Sequence, residues 1–218
     1  MILSTMILAA VTATGSPPPG TYRYGASMNG QAIGSWSVTV ARDESHTQID
    51  ENSTAFVFGM QLSATASLVL GPDLAPANYH GSYHTPSQSP NVSVSVDGGT
   101  ATVVGALTPQ PQRFPLAANT KHFVVIEPGL LAGLFMLPAQ LAAWQDRSVT
   151  WITPATSQAQ PLTTSTGSAP PRPADVAPQD AVLAIDQPVG VTIWYDPATL
   201  VPDEINVPSQ NAVLKRLR

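Results

Sequence analysis

The sequence predicts a mainly β fold, a curled antiparallel sheet or open barrel wrapped on a central apolar, proline-kinked helix. Three observations predict it. Short segments of alternating polarity recur along most of the chain, separated by turns such as Asn29-Gly30 and Gly98-Gly99. Pro128–Gln145 (PGLLAGLFMLPAQLAAWQ) carries no formal charge and is the one convincing helical segment. Finally, a helix that is apolar nearly all round must be enclosed, cross a membrane or fill something hollow.

Each element follows from local pattern. Thr21–Met28 opens with two tyrosines at strand spacing and ends at the Asn29-Gly30 hairpin signal. In Ala32–Arg42 the alternation sends Trp36, Val38 and Val40 to a core and the hydroxyls outward. Asp43-Glu44-Ser45 is a polar turn, and His46–Phe58 and Met60–Leu70 are two further strands bent at Gly59. Tyr79–Thr85 is a short strand, and Asn91–Asp97 with Thr100–Leu107 forms a second hairpin. Pro109–Pro115 reads as a loop, and Lys121–Glu127 leads into the apolar segment. Pro138 removes one internal hydrogen bond, so the segment is expected in two pieces, Gly129–Leu137 and a second from Pro138 to Trp144. Together with Gln140 and Glu127, that break argues against a membrane span.

Val149–Ile152 is a strand. Pro154–Gln179, rich in Pro, Ser, Thr, Ala and Gln and without an aromatic, reads as a flexible loop. Val182–Ile185, Val189–Tyr195 and Glu204–Val207 close the strand series, with Asn211–Arg218 a last strand or tail. The expected organisation is a leader over residues 1–20 and one β-rich domain over residues 21–218.

Composition narrows the setting. Only 11% of the 218 residues are charged, against about 25% in ordinary globular chains. Nine Lys and Arg and a net charge of −5 lack the basic footprint that nucleic acid requires. No cysteine is present, which excludes disulfides, thiolate metal sites and a lipid-modified cysteine after the leader. Met1–Ala13 (MILSTMILAAVTA) is largely apolar. It ends in the small-residue pattern Val11-Thr12-Ala13 and is followed by Ser16-Pro17-Pro18-Pro19. That arrangement, although it lacks the usual positive n-region, predicts a signal peptide, periplasmic or secreted location, and no transmembrane anchor once the leader is removed; the alternative is a first buried strand.

Val191–Arg216 reads VTIWYDPATLVPDEINVPSQNAVLKR, and the first meander opens Tyr22-Arg23-Tyr24 and continues Asn29-Gly30-Gln31-Ala32-Ile33-Gly34. Together these stretches resemble bacterial exported domains of unknown function of the DUF3108 and DUF6134 type. In that group a tyrosine strand and a G-x-x-I-G hairpin begin the fold, and a Y-D-P … L-V-P strand pair closes it. The group in turn is similar to the curled sheet, wrapped on a central helix, of periplasmic lipoprotein carriers. The resemblance implies that fold and, by analogy, lipid binding; it implies no catalytic residue.

The residues themselves favour no chemistry. His80 and His84 lie four apart on a strand, about 13 Å along it, too far for one metal. Asp43-Glu44, Asp50-Glu51 and Asp203-Glu204 read as solvated turn pairs. No nucleophile elbow or phosphate loop occurs. No catalytic residue, metal site or cofactor is therefore assigned. The apolar residues are more informative: Leu130, Leu131, Leu134, Phe135, Leu137, Leu141 and Trp144 recur at helical spacing, and Met60, Met136, Phe56 and Phe58 are able to meet them. All but Leu137 are the candidate lining of a site for a hydrophobic small molecule or lipid. The alternatives are a structural or interaction module whose core is filled, and a hydrolase whose site is assembled from distant residues.

Overall fold

A computed structural model describes residues 15–57, 59–86, 88–97, 99–107, 110–116, 122–144, 148–165 and 170–218. The first strands are β1 (Gly20–Met28), β2 (Gln31–Arg42), β3 (Thr47–Val57), β4 (Met60–Leu70) and β5 (Pro76–His84). Then come β6 (Asn91–Asp97), β7 (Thr100–Val104), β8 (Gln112–Pro115) and β9 (His122–Val125). The helix α1 (Ala132–Trp144) precedes β10 (Val149–Thr153) and β11 (Gln158–Thr164). The series closes with β12 (Ala181–Gln187), β13 (Val191–Tyr195), β14 (Pro202–Val207) and β15 (Ala212–Leu217).

The fifteen strands of the described residues form one sheet, in the order β8-β7-β6-β5-β4-β3-β2-β1-β15-β14-β13-β12-β11-β10-β9. Every neighbour is antiparallel except β9 and β10. A parallel pair needs a crossover rather than a hairpin, and α1 supplies it. The sheet curls until β9 packs on β5 and the turn at Pro154–Thr156 packs on β6 and β7. The predicted mainly β fold, a curled open sheet around one helix, is the fold observed.

Why the strands face as they do follows from alternation. In β2, Trp36, Val38 and Val40 are buried while Ser35 and Thr39 are exposed. Asn29 and Gly30 both have positive φ, 51° and 75°, as a two-residue hairpin turn requires. The helix is buried continuously from Ala132 to Gln140, so its lack of a polar face is explained by enclosure. No described helix is long and apolar enough to cross a membrane.

Three expectations need correction. The apolar segment is one helix, not two: α1 runs through Pro138 without interruption. Packing on every side holds the segment helical through the loss of a single hydrogen bond. Within the expected loop after Pro154, residues Gln158–Thr164 form β11, which pairs with β10 through Gln158–Leu162. Its polar composition reflects exposure, since Leu162 alone is buried. Pro161 fits because β11 meets β12 only at Thr163 and Thr164. Likewise Gln112–Pro115, expected as loop, is the edge strand β8.

Two glycine contacts set how closely the helix and strands approach. A Cβ on Gly133 would lie 2.0 Å from the Val125 carbonyl oxygen, so α1 rests directly on the end of β9. A Cβ on Gly34 would meet the Thr54 carbonyl oxygen at 2.1 Å. In an open helix Gly→Ala stabilises by about 1 kcal/mol. Here the clash with rigid backbone reverses the sign. Gly133→Ala is expected to destabilise the protein by about 1–3 kcal/mol in urea unfolding, and an unchanged or raised midpoint would contradict this packing.

Candidate functional site

The helix begins without an acidic residue in its first turn. Two N–H donors at its start are satisfied from the sheet instead. Leu131 and Ala132 each donate their backbone N–H to Glu51 Oε2 at 2.7 Å. Glu51 sits mid-strand in β3, on the inward parity of Thr47, Ile49 and Ser53, and is 1% exposed. A carboxylate at this end also complements the helix dipole.

Neighbouring groups fix the lead-in to the helix. Trp36 Nε1 donates to the Gly129 carbonyl at 3.3 Å. The Tyr83 hydroxyl lies 2.9 Å from both the Pro128 carbonyl and Glu127 Oε1. Glu127 Oε2 in turn accepts the Ala155 N–H at 2.8 Å. Register explains the space for this cluster: Glu51 pairs with Ala66, and Ala66 with Gly81. Over Gly81, where a Cβ would contact both at about 3 Å, lie the Tyr79 hydroxyl and Leu130.

Burial dominates the electrostatics. It pushes the Glu51 carboxyl up to about 7, against the opposing pull of the Ala132 and Leu131 N–H groups. Glu127 is raised for the same reason, opposed by the Ala155 N–H and the Tyr83 hydroxyl. Tyr79 and Tyr83 are raised by burial and then by the adjacent carboxylates. Glu51 Oε1 and the Tyr79 hydroxyl have no hydrogen-bond partner among the described residues.

Directly in front of this cluster lies an apolar cavity of about 340 Å³. Leu130, Leu131 and Leu134 form one wall, and Trp36, Ala55 and Ala64 of the sheet face them. Met28 and Ile33 of the β1–β2 hairpin, with Val57 and Leu62 of the β3–β4 hairpin, surround the mouth. His84, Thr85 and Gln210 supply a polar rim. Its volume falls within the range of about 300–1,000 Å³ usual for small-molecule sites. A second hollow lies at the other end of α1, against Asp43, His46, Asp73 and Trp144; it is an open surface depression of mixed polar and apolar lining.

The ten candidate lining residues are distributed as follows. Leu130, Leu131 and Leu134 line the cavity. Phe135 and Met136 are wholly buried in the core, Phe135 against Tyr22 and Tyr24 with ring centroids 5.2 and 6.4 Å away. Leu141 is half-buried against the core. Trp144 lies at the far end of the helix, stacked on His122 and donating to the Asp73 carbonyl. Phe56 and Met60 are exposed near the tip of the β3–β4 hairpin, and Phe58 lies outside the described residues.

The acidic pairs also differ from the solvated-turn reading. Asp43-Glu44 is an exposed turn, but Glu51 and Glu204 are buried strand residues. The legible signal was parity: Glu51 is two residues from Ile49, hence on the same inward face. Trp36 and Ala64 were accessible by the same reasoning.

The histidines form no catalytic array. The ring nitrogens of His84 approach the Ser82 and Ser89 hydroxyls, at 3.4 and 3.2 Å, with no carboxylate. His46 approaches the Ser45 hydroxyl at 2.7 Å, but Asp43 accepts from Ser45 and from the turn backbone. That carboxylate closes a turn and does not orient the imidazole as a base. No group of three metal-ligating side chains occurs among the described residues.

The buried carboxyl has a pH signature. Between about 4.5 and about 7 the folded chain holds on Glu51 a proton that the unfolded chain has released. Its contribution to stability is full below that window and is lost as pH rises through it. The stability difference between wild type and Glu51→Gln is therefore expected to move against the wild type as pH rises from 4.5 to 7, by at most about 3 kcal/mol. Parallel urea titrations of the two proteins read it, and a pH-independent difference would exclude the effect.

No family model matches the chain, and no curated protein matches it. Among solved structures it is similar to a beta-barrel-like protein of the domain of unknown function DUF1849 from Brucella abortus. The TM-score is 0.52 at 7% identity, over 92% of this chain and 95% of that one. It also aligns with a DUF1089 family protein from Pseudomonas aeruginosa, with a TM-score of 0.46 at 7% identity, over 89% and 92% of the two chains. The first likeness is one of fold alone; the second is too distant to carry an argument.

Proposed function

We propose that this protein is a non-enzymatic binding domain that holds or carries a hydrophobic, lipid-like molecule in the cell envelope. One observation carries the reading: an apolar cavity of about 340 Å³ lies between the helix and the curled sheet and reaches residues of the β1–β2 and β3–β4 hairpins. Its wall is built of adaptable apolar side chains with few polar anchors, as sites for apolar ligands are. The pinned helix N-terminus supports the same reading, because it keeps Leu130, Leu131 and Leu134 in place as one face of the hollow. Export belongs to the proposal through the apolar opening Met1–Ala13, and fractionation of a tagged full-length protein tests it. A relationship to the DUF3108 and DUF6134 exported domains is likewise proposed. Its two stretches fall on neighbouring elements, β1–β2 and β13–β15.

Native mass spectrometry of the purified protein, before and after exposure to a lipid extract, is expected to show a retained apolar adduct. Ala64→Phe places a ring in the cavity wall. It is expected to abolish the adduct while thermal unfolding changes by only a few degrees, about 1 kcal/mol. An unliganded wild type under both conditions would overturn the proposal in favour of a structural module.

A further inference from the structure

We infer that the cavity selects uncharged apolar molecules, a long-chain alcohol or neutral lipid rather than a fatty-acid anion or a cationic amphiphile; this rests on the binding role proposed above. The lining contains no Asp, Glu, Lys or Arg. An ionised head group drawn into such a wall loses its hydration with no charged partner in return.

The usual seat for an anionic head is also taken. A helix N-terminus attracts anions through its free N–H groups and its dipole. At α1 the N–H groups of Leu131 and Ala132 already bind Glu51. Behind the same wall lies a second carboxylate, Glu127, held by the hydroxyl of the lining residue Tyr83. An anion in the cavity would therefore face two acidic groups across one layer of side chains. At the rim, His84 has both ring nitrogens directed at serine hydroxyls.

A cationic head fares differently but no better. Glu51 and Glu127 lie behind the lining and not in it; Glu51 Oε2 and both Glu127 oxygens are taken by backbone N–H groups and Tyr83, while the unpartnered Glu51 Oε1 is buried and does not line the cavity. Attraction to the Trp36 and Tyr83 rings in the lining is weaker than the hydration a quaternary ammonium gives up with no direct counter-ion.

The test compares three probes of equal chain length, decanol, decanoate and decyltrimethylammonium, in displacing the neutral fluorophore N-phenyl-1-naphthylamine from the full-length protein. All are used below their micellar concentrations, at about pH 8, where a carboxylic acid is ionised. Decanol is expected to displace at a concentration at least about tenfold lower than either charged probe, the discrimination a desolvated, unpaired charge imposes. Decanoate or the ammonium matching or beating decanol would overturn the inference while leaving apolar binding intact. A fluorophore that fails to bind, with no probe detected by native mass spectrometry, would overturn both.

Discussion

The carboxylate of Glu51 on the first N–H groups of α1 is the contact on which the rest of this arrangement depends. The helix has no acidic residue of its own to cap it and no polar face to solvate it. It is stable only where something buried accepts its orphan donors. A central strand supplies that acceptor, so helix position and sheet register are one constraint rather than two. At the other end Gln140 and Trp144 donate to the carbonyls of Leu74 and Asp73. Between these two anchors the helix is held by shape alone, and Gly133 sets the distance.

Burying an acid in this way is costly, and the cost is visible in its raised affinity for a proton. The surrounding hydroxyls and backbone groups offset it only in part, because Glu51 Oε1 and the Tyr79 hydroxyl remain unmatched. Incomplete satisfaction of a buried polar cluster is unusual in a stable core and is commoner where a structure serves something besides stability. Here it coincides with a place where apolar packing also stops short of filling the interior.

Much of this architecture was legible in the sequence. Alternation in β2, the Asn29-Gly30 turn and the uniformly apolar Pro128–Gln145 were enough to place strands around an enclosed helix. What remained hidden depended on long-range pairing. Asp50-Glu51 looks like a turn because adjacent acids usually are solvated; alternation puts Glu51 on the inward face of β3, and the depth of that strand within the sheet closes it off from water. Pro138 looks like a break because a local rule does not know that the segment is packed on all sides. β11 looks like a loop because backbone pairing to β10 needs no apolar pattern. Of the cavity wall, the helix residues at its N-terminal turn were identifiable, whereas Ala55, Ala64 and Trp36 matter through their position opposite that turn. The exposed Phe56 shows the converse, an apolar residue whose type alone suggests a lining it does not form.

The pairing of β1 with β15 has a consequence for how this protein acquires its shape. Each half of the sheet grows by neighbours in sequence, β2 through β8 on one side and β14 back to β10 on the other. Among the described strands the two halves hydrogen-bond into one sheet only where Arg23–Met28 meets Ala212–Leu217, contacts separated by nearly the whole chain. Loop closure over such a distance is slow relative to hairpin formation. During synthesis the first half must therefore wait, with one flank of β1 unpaired, until the last strand is available. That interval is when the chain is most open to chaperones, to aggregation and to passage through a pore.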